Sequence, residues 1–253
     1  MKVYFIGGGP GDPELLTLKA KRLIETMRVC IYAGSLLSDA VVSLIPPGAK
    51  RYDSAKMNMD EIMEVIVKAK EAGENVARVH SGDPSIYGAI REQMMELCRL
   101  GIDYEVVPGV SSFQAAAAAL RKELTAPEIS QTITLTRLAG RTPVPESQEL
   151  AKLAETGATL CIFLSVDKIF DVMEKLLPAY GADCPAAVIH RASWPDQKII
   201  EGSIADIAQK VKDAQIKKTA MIIVGWALSE KGDAVSRLYA KEFSHEYRKA
   251  EIK

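Results

Sequence analysis

Short β-branched and aromatic runs alternate along the chain with longer stretches in which apolar residues fall three and four apart. In the first half the runs are Val3 to Ile6, Val29 to Tyr32, Val76 to Val79 and Tyr104 to Val107. Between them, Glu14 to Met27 and Asp60 to Ala72 carry helical spacing, clearest in Ile62, Val65, Ile66 and Ala69. The alternation predicts a largely parallel sheet covered by helices. Ser111-Ser112-Phe113-Gln114 followed by Ala115 to Ala119 predicts a Ser-capped helix whose small side chains allow close packing.

After Glu123 to Pro127 the pattern restarts. Strands are expected at Thr132 to Leu135, Leu160 to Leu164, Ala186 to His190, Lys198 to Glu201 and Met221 to Val224. The turn Ser193-Trp194-Pro195-Asp196 suggests a hairpin between the third and fourth of these, hence a mixed sheet. The expected boundary lies near residues 113 to 127. It divides the α/β chain into an N-terminal α/β domain, 1–113, with a Gly-rich turn, and a C-terminal α/β domain, 114–253, with a mixed sheet.

Composition narrows the picture. A chain of 253 residues can bury a substantial core without disulfides or structural metal. Hydrophobic residues at 48% and charged residues at 26% are the balance of a soluble globular protein. Lys plus Arg total 32 against 33 for Asp plus Glu, so a nucleic-acid partner has no global electrostatic support and an anionic ligand needs a local cation cluster. Cys30, Cys98, Cys161 and Cys184 share no CxxC spacing and read as free thiols in a reducing compartment. Met1 to Ile6 leads straight into a Gly-rich turn without a signal-peptide apolar region, and no apolar run is long enough to span a membrane. A cytoplasmic protein with no membrane partner is expected.

The candidate chemistry sits where strands end. Gly7-Gly8-Gly9-Pro10-Gly11-Asp12-Pro13 follows the first strand as a dinucleotide-binding turn does, but a GxGxxG beginning at Gly7 needs glycine where Asp12 stands. The second strand ends in Tyr32-Ala33-Gly34 and lacks the acid that binds a ribose. No P-loop GxxxxGK[ST] and no GxSxG elbow occur. Ser81-Gly82-Asp83-Pro84 repeats the Gly-Asp-Pro turn and is expected to lead into a helix containing Ile86, Tyr87 and Gly88. Asp12 and Asp83 then serve as helix N-caps before Pro13 and Pro84. With Val107-Pro108-Gly109-Val110-Ser111-Ser112, three backbone-rich turns converge at the carboxyl edge of a sheet, where open α/β folds bind small molecules. His80, His190 and His245 have no ligand spacing, so no protein-bound metal is expected. Arg137 and Arg141 flank a strand end and suit forked bonds to carboxylates, or else are ordinary surface arginines.

Taken together, the Gly7 to Asp12 opening with Leu15, Thr17 and Ala20 after it, the Ser81 to Pro84 turn and the Val107 to Ser111 turn resemble the tetrapyrrole (corrin/porphyrin) methylases over essentially the whole chain. Within that family, four segments are similar to the branch that methylates C(11) of precorrin-4 or cobalt-precorrin-4 in cobalamin synthesis. They are Tyr32 to Leu36, Thr136 to Glu146, Ala192 to Asp196, and Ser236 to Tyr239 with Phe243 to His245. The resemblance implies two α/β domains with S-adenosylmethionine in a cleft between them, the class III methyltransferase arrangement, and a homodimer. By position it implies cofactor contacts from Pro10, Ser81, Gly82, Asp83, Ile86, Ser111 and Ser112 in the first domain, and from Phe163, Leu164, Ala192, Ala220 and Met221 in the second. The implied substrate carries acetate and propionate arms, for which His80, Arg137, Arg141 and Arg191 are the candidate cations. It implies no nucleophile, and no catalytic residue is assigned. The alternative within the family is a methylase acting at a different ring carbon or on a non-tetrapyrrole substrate; readings of other classes are a nicotinamide-dependent oxidoreductase and a non-catalytic nucleotide-binding sensor.

Overall fold

The computed structural model describes residues 1–140, 142–229, 240–244 and 246–249. Arg141, His245 and the segment 236–239 lie outside the described residues. The chain forms two units, one of Met1–Ala119 with Arg191–Lys198, the other of Leu120–His190 with the chain from Ile199 on. Residues 114–119 and Arg191–Lys198 therefore belong with the first unit, whereas a division at residue 113 leaves them in the second.

In the first unit, strands β1 (Lys2–Gly7), β2 (Val29–Tyr32), β3 (Lys50–Asp53), β4 (Val76–His80) and β5 (Asp103–Val107) form a sheet in the order β3-β2-β4-β1-β5, all neighbours parallel. Helices α1 (Leu18–Thr26), α2 (Asp39–Val42), α3 (Met59–Glu71), α4 (Arg91–Arg99) and α5 (Ser112–Leu120) complete it. Both faces of the sheet are covered at its centre, which is why β1, β2 and β4 read as largely apolar runs. Val3, Phe5 and Ile31 pack with Ile62, Ile66 and Leu97 of α3 and α4; Ile6, Ala77 and Val79 pack on the other face with Ala20, Leu23 and Ile24 of α1. Strand β3 has no sequence signal because Lys50-Arg51-Tyr52-Asp53 is a polar edge, recruited by pairing with β2.

Two helix expectations change. Asp12 caps only a single 3-10 turn, Pro13–Leu15, and α1 starts afresh at Leu18 with Thr17 as its N-cap. After Asp83 no helix follows: Pro84 to Tyr87 is a turn, Tyr87 and Ala89 take φ of 54° and 49°, and α4 begins only at Arg91. Left-handed residues interrupt the α conformation that the spacing suggested.

In the second unit, β6 (Ile133–Arg137), β7 (Thr159–Phe163), β8 (Pro185–His190), β9 (Lys198–Ser203) and β10 (Ala220–Val224) form a sheet in the order β6-β7-β10-β8-β9. β6 runs parallel to β7, while β10 is antiparallel to both β7 and β8, so the sheet is mixed. Helices α6 (Leu150–Ala154), α7 (Ile169–Tyr180) and α8 (Ile207–Asp213) cover it through Leu150, Val172, Leu176, Ile207 and Val211. Among the described residues no helix is long and apolar enough to cross a membrane.

The strand ends of the first sheet meet as bare backbone. A Cβ on Gly7 would lie 2.5 Å from both Cα and N of Gly109 and 2.8 Å from the Gly82 carbonyl oxygen. Only hydrogen fits there. Gly7→Ala should lower stability by about 1–3 kcal/mol, the usual cost of forcing atoms into a packed interior, whereas Gly48→Ala, with open space around its Cα, should not. Urea midpoints of the two variants check this.

Candidate functional site

The contact of Gly7, Gly82 and Gly109 brings together the turns after β1, β4 and β5. Gly8 N donates to His80 O at 2.7 Å, and Gly9 and Gly82 exchange both backbone bonds, at 3.2 and 2.8 Å. The Asp83 carboxylate then ties two turns at once. Its Oδ2 accepts from Gly109 N at 2.9 Å, and its Oδ1 accepts from Ser85 N at 2.8 Å and from the Ser85 hydroxyl. Burial pushes the Asp83 carboxyl up, but the bonds from Ser85 and Gly109 outweigh it and hold the group below its ordinary value. Ser111 is buried beside Gly82, and its N–H donates to Gln114 Oε1 at 2.9 Å, half of a capping box at the start of α5. Pro10, Gly82, Asp83 and Ser111 thus share one edge of the sheet, with Ser81, Ile86 and Ser112 half-buried beside them.

A second device completes the Gly-rich turn. Trp194 Nε1 donates to Pro10 O at 2.7 Å, Asp12 N donates to Ser193 Oγ at 3.0 Å, and a Cβ on Gly11 would fall on the indole ring. Three consecutive residues, Pro10 to Asp12, are held by Ser193 and Trp194, with Ser38 Oγ donating to Gly11 O. The sequence marks Ser193 to Asp196 as a turn but carries no sign of what that turn touches, because its partner lies 184 residues away. Ala192 is buried and belongs to this same segment, so it joins the first unit and not the second as expected.

In the second unit the remaining candidates also gather at one edge. Arg137 and Phe163 end the parallel strands β6 and β7 and pair in register. His190 ends β8 opposite Ala220, with Met221 next along β10. Leu164, one residue past β7, is 68% exposed with φ of 53°, a left-handed conformation that costs a branched residue about 1–2 kcal/mol. Backbone strain of this kind concentrates at functional sites.

The expected cations fare unevenly. His80 is buried against Phe5, ring centroids 6.0 Å apart, and burial together with the Arg78 charge pushes its imidazole down to about 3. It is neutral at ordinary pH and supplies no positive charge for a carboxylate. Arg137 donates to the carbonyls of Leu138, Thr142 and Pro143, at 3.4, 3.0 and 2.8 Å, and so shapes the loop beyond β6. Arg191 pairs with Asp196 and lies over the Trp194 ring, 4.9 Å from its centroid, bracing the segment that holds the Gly-rich turn.

A family model for the tetrapyrrole (corrin/porphyrin) methylases matches residues 2–208. The chain belongs to that family. It is 52% identical to the cobalt-precorrin-4 C(11)-methyltransferase of Methanocaldococcus jannaschii, over all of this chain and 98% of that one. It is 51% identical to the precorrin-4 C(11)-methyltransferase of Pseudomonas aeruginosa, over 99% of this chain and all of that one. The X-ray structure of a cobalamin biosynthetic enzyme, cobalt precorrin-4 methyltransferase, superposes with a TM-score of 0.88 at 44% identity, covering 90% of this chain and 96% of that one. A uroporphyrin-III C-methyltransferase from Thermus thermophilus, solved with S-adenosyl homocysteine, superposes at 0.76 with 27% identity, covering 90% and 99%. Membership in the methylases sets aside the oxidoreductase reading.

Two outcomes follow for the methylase edge. Trp194→Phe keeps a ring over Gly11 but strands the Pro10 carbonyl, at about 1 kcal/mol. Trp194→Ala also uncovers the turn and should lose about 3 kcal/mol; the two unfolding midpoints rank them. For His80, the unfolded imidazole titrates near 6.5 and the folded one near 3. The unfolded chain alone gains a proton as pH falls through that window, so stability present above about 6.5 is lost toward 3. His80→Phe should flatten the slope of unfolding free energy between pH 7 and 5.

Proposed function

We propose that this methylase transfers a methyl group from S-adenosylmethionine to C(11) of precorrin-4 or of its cobalt form, on the route to cobalamin. The observation that carries the reading is the identity above 50%, over essentially full length, to C(11)-methyltransferases of both kinds. The physical character of the glycine edge agrees with it. Bare backbone at Gly7, Gly82 and Gly109 lets the three turns close on one another and so bring Pro10, Asp83 and Ser111 to one edge. The carboxylates of Asp12 and Asp83 make the edge unsuited to phosphate and suited to a ligand bearing hydroxyls and positive charge.

We assign cofactor contact to Pro10, Ser81, Gly82, Asp83, Ile86, Ser111, Ser112 and Ala192 of the first unit. From the second we assign Phe163, Leu164, Ala220 and Met221. What S-adenosylmethionine supplies when bound is a methyl already electrophilic on a sulfonium sulfur. The chain's part is to bind and align. Asp83 keeps the β4 and β5 turns in one arrangement, and Trp194 with Ser193 does the same for Pro10 to Asp12, so neither must be ordered as reaction begins. Alignment of this sort can lower a barrier by roughly 7–11 kcal/mol. Arg137 orders the Leu138 to Pro143 loop, which we place beside the acid arms of the substrate together with Arg141. A homodimer is proposed on the family resemblance.

The test is turnover with precorrin-4 and cobalt-precorrin-4 in separate incubations, using S-adenosylmethionine labelled with carbon-13 in its methyl group. One labelled methyl at C(11) in the carbon spectrum of the product is expected from at least one of them. Labelling at a different ring carbon, or none with either substrate, overturns the assignment.

A further inference from the structure

Strand β4 reads Val76-Ala77-Arg78-Val79-His80, and the strand period of two puts Val76, Arg78 and His80 on the face packed against α3 and α4. A charged residue in the middle of such a strand is anomalous. Arg78 is 6% exposed, His80 5% and Gln93, in the first turn of α4, 3%. Arg78 Nε donates to Gln93 Oε1 at 3.1 Å, and Gln93 Nε2 donates to Ala89 O at 2.9 Å. Two atoms of the cluster, Arg78 Nη1 and His80 Nε2, are fully buried with no hydrogen-bond partner among the described residues.

The charge is as unanswered as the hydrogen bonds. Burial lowers the Arg78 guanidinium to about 10, still a cation at neutral pH, and no carboxylate acts on it or on His80. The group that favours its charge is Cys30, whose thiol burial pushes up to about 12 and so leaves neutral. α4 adds potential of the same sign. Its N-cap is Ile90, which offers no side-chain acceptor, so first-turn N–H groups and the positive end of the helix dipole lie beside Gln93. Glu92, the acid of that turn, is exposed. Buried ions persist in proteins when they are paired, and buried donors when they are bonded.

We infer that Arg78, His80 and the first turn of α4 form a binding site for a carboxylate, which accepts hydrogen bonds from Arg78 Nη1 and from His80 Nε2–H and neutralises the guanidinium. The Tyr87 to Ala89 segment is tied to the cluster through Ala89 O, and its two outer residues, Tyr87 and Ala89, are left-handed. The ligand is either a free small carboxylate or the acid arm of a larger molecule. The inference rests on this unit's own geometry and stands apart from the C(11) assignment.

Formate titrated against thermal unfolding of the full chain, in parallel with Arg78→Met, tests it. The natural protein should show a saturable rise in midpoint, because a ligand bound to the folded state alone stabilises it. The variant should show none, its apparent Kd raised at least tenfold. His80→Leu should weaken formate by a smaller factor, and it serves as the readout if Arg78→Met does not fold. Repeating the titration with uroporphyrin III present separates the sources. Abolition of the formate response identifies an acid arm, and an unchanged response identifies a free small anion. A formate response that is absent, or equal in the natural protein and the variants, overturns the site.

Discussion

The distance between three backbones governs the edge of the first sheet. Gly7, Gly82 and Gly109 touch through Cα, N and carbonyl atoms, with no side chain between them. That approach sets the reach across which Gly9 and Gly82 exchange hydrogen bonds and Asp83 accepts from Gly109 N. Any larger residue would spread the turns after β1, β4 and β5, and the Asp83 carboxylate would lose one of the two turns it joins. The chemistry proposed for the edge is alignment, so the tolerance of that contact is also the tolerance of the reaction.

Much of this was legible in the sequence. Among the described residues, the strands other than β3 follow from their β-branched and aromatic runs, and the three turns follow from their Gly, Pro and Ser composition. β3 was not legible, because an edge strand paired on one side needs little hydrophobicity and Lys50 to Asp53 has little. The helix expected after Asp83 failed for the opposite reason. Its residues permit a helix, but the positive φ of Tyr87 and Ala89 belongs to a tight turn that only the surrounding packing imposes. Of the site, Gly82, Asp83 and Ser111 could be read from local pattern. The grip of Trp194 on Pro10 and Gly11 could not, since no periodicity connects residues so far apart.

Arg78 illustrates a different limit. The strand is recognised by the apolar residues around it, and nothing in the local pattern marks the charge within it as buried. Burial on a sheet covered on both faces turns that residue from an ordinary surface cation into an ion demanding a partner. His80 moves the other way under the same physics, from a presumed cation to a neutral ring.

The hold of Trp194 on the Gly-rich turn also bears on the order in which the protein is made. Strands β1 to β5 and their helices are complete once residue 120 has been synthesised, yet the turn at Pro10 to Asp12 still lacks the indole and hydroxyl that close it. Those arrive only with Arg191–Lys198, after most of the second sheet has been translated. Contacts of such sequence separation form late and slowly. The glycine edge is therefore the last part of the first unit to mature, and a ribosome-bound chain released before residue 198 would carry a folded sheet with its Gly-rich turn unfinished.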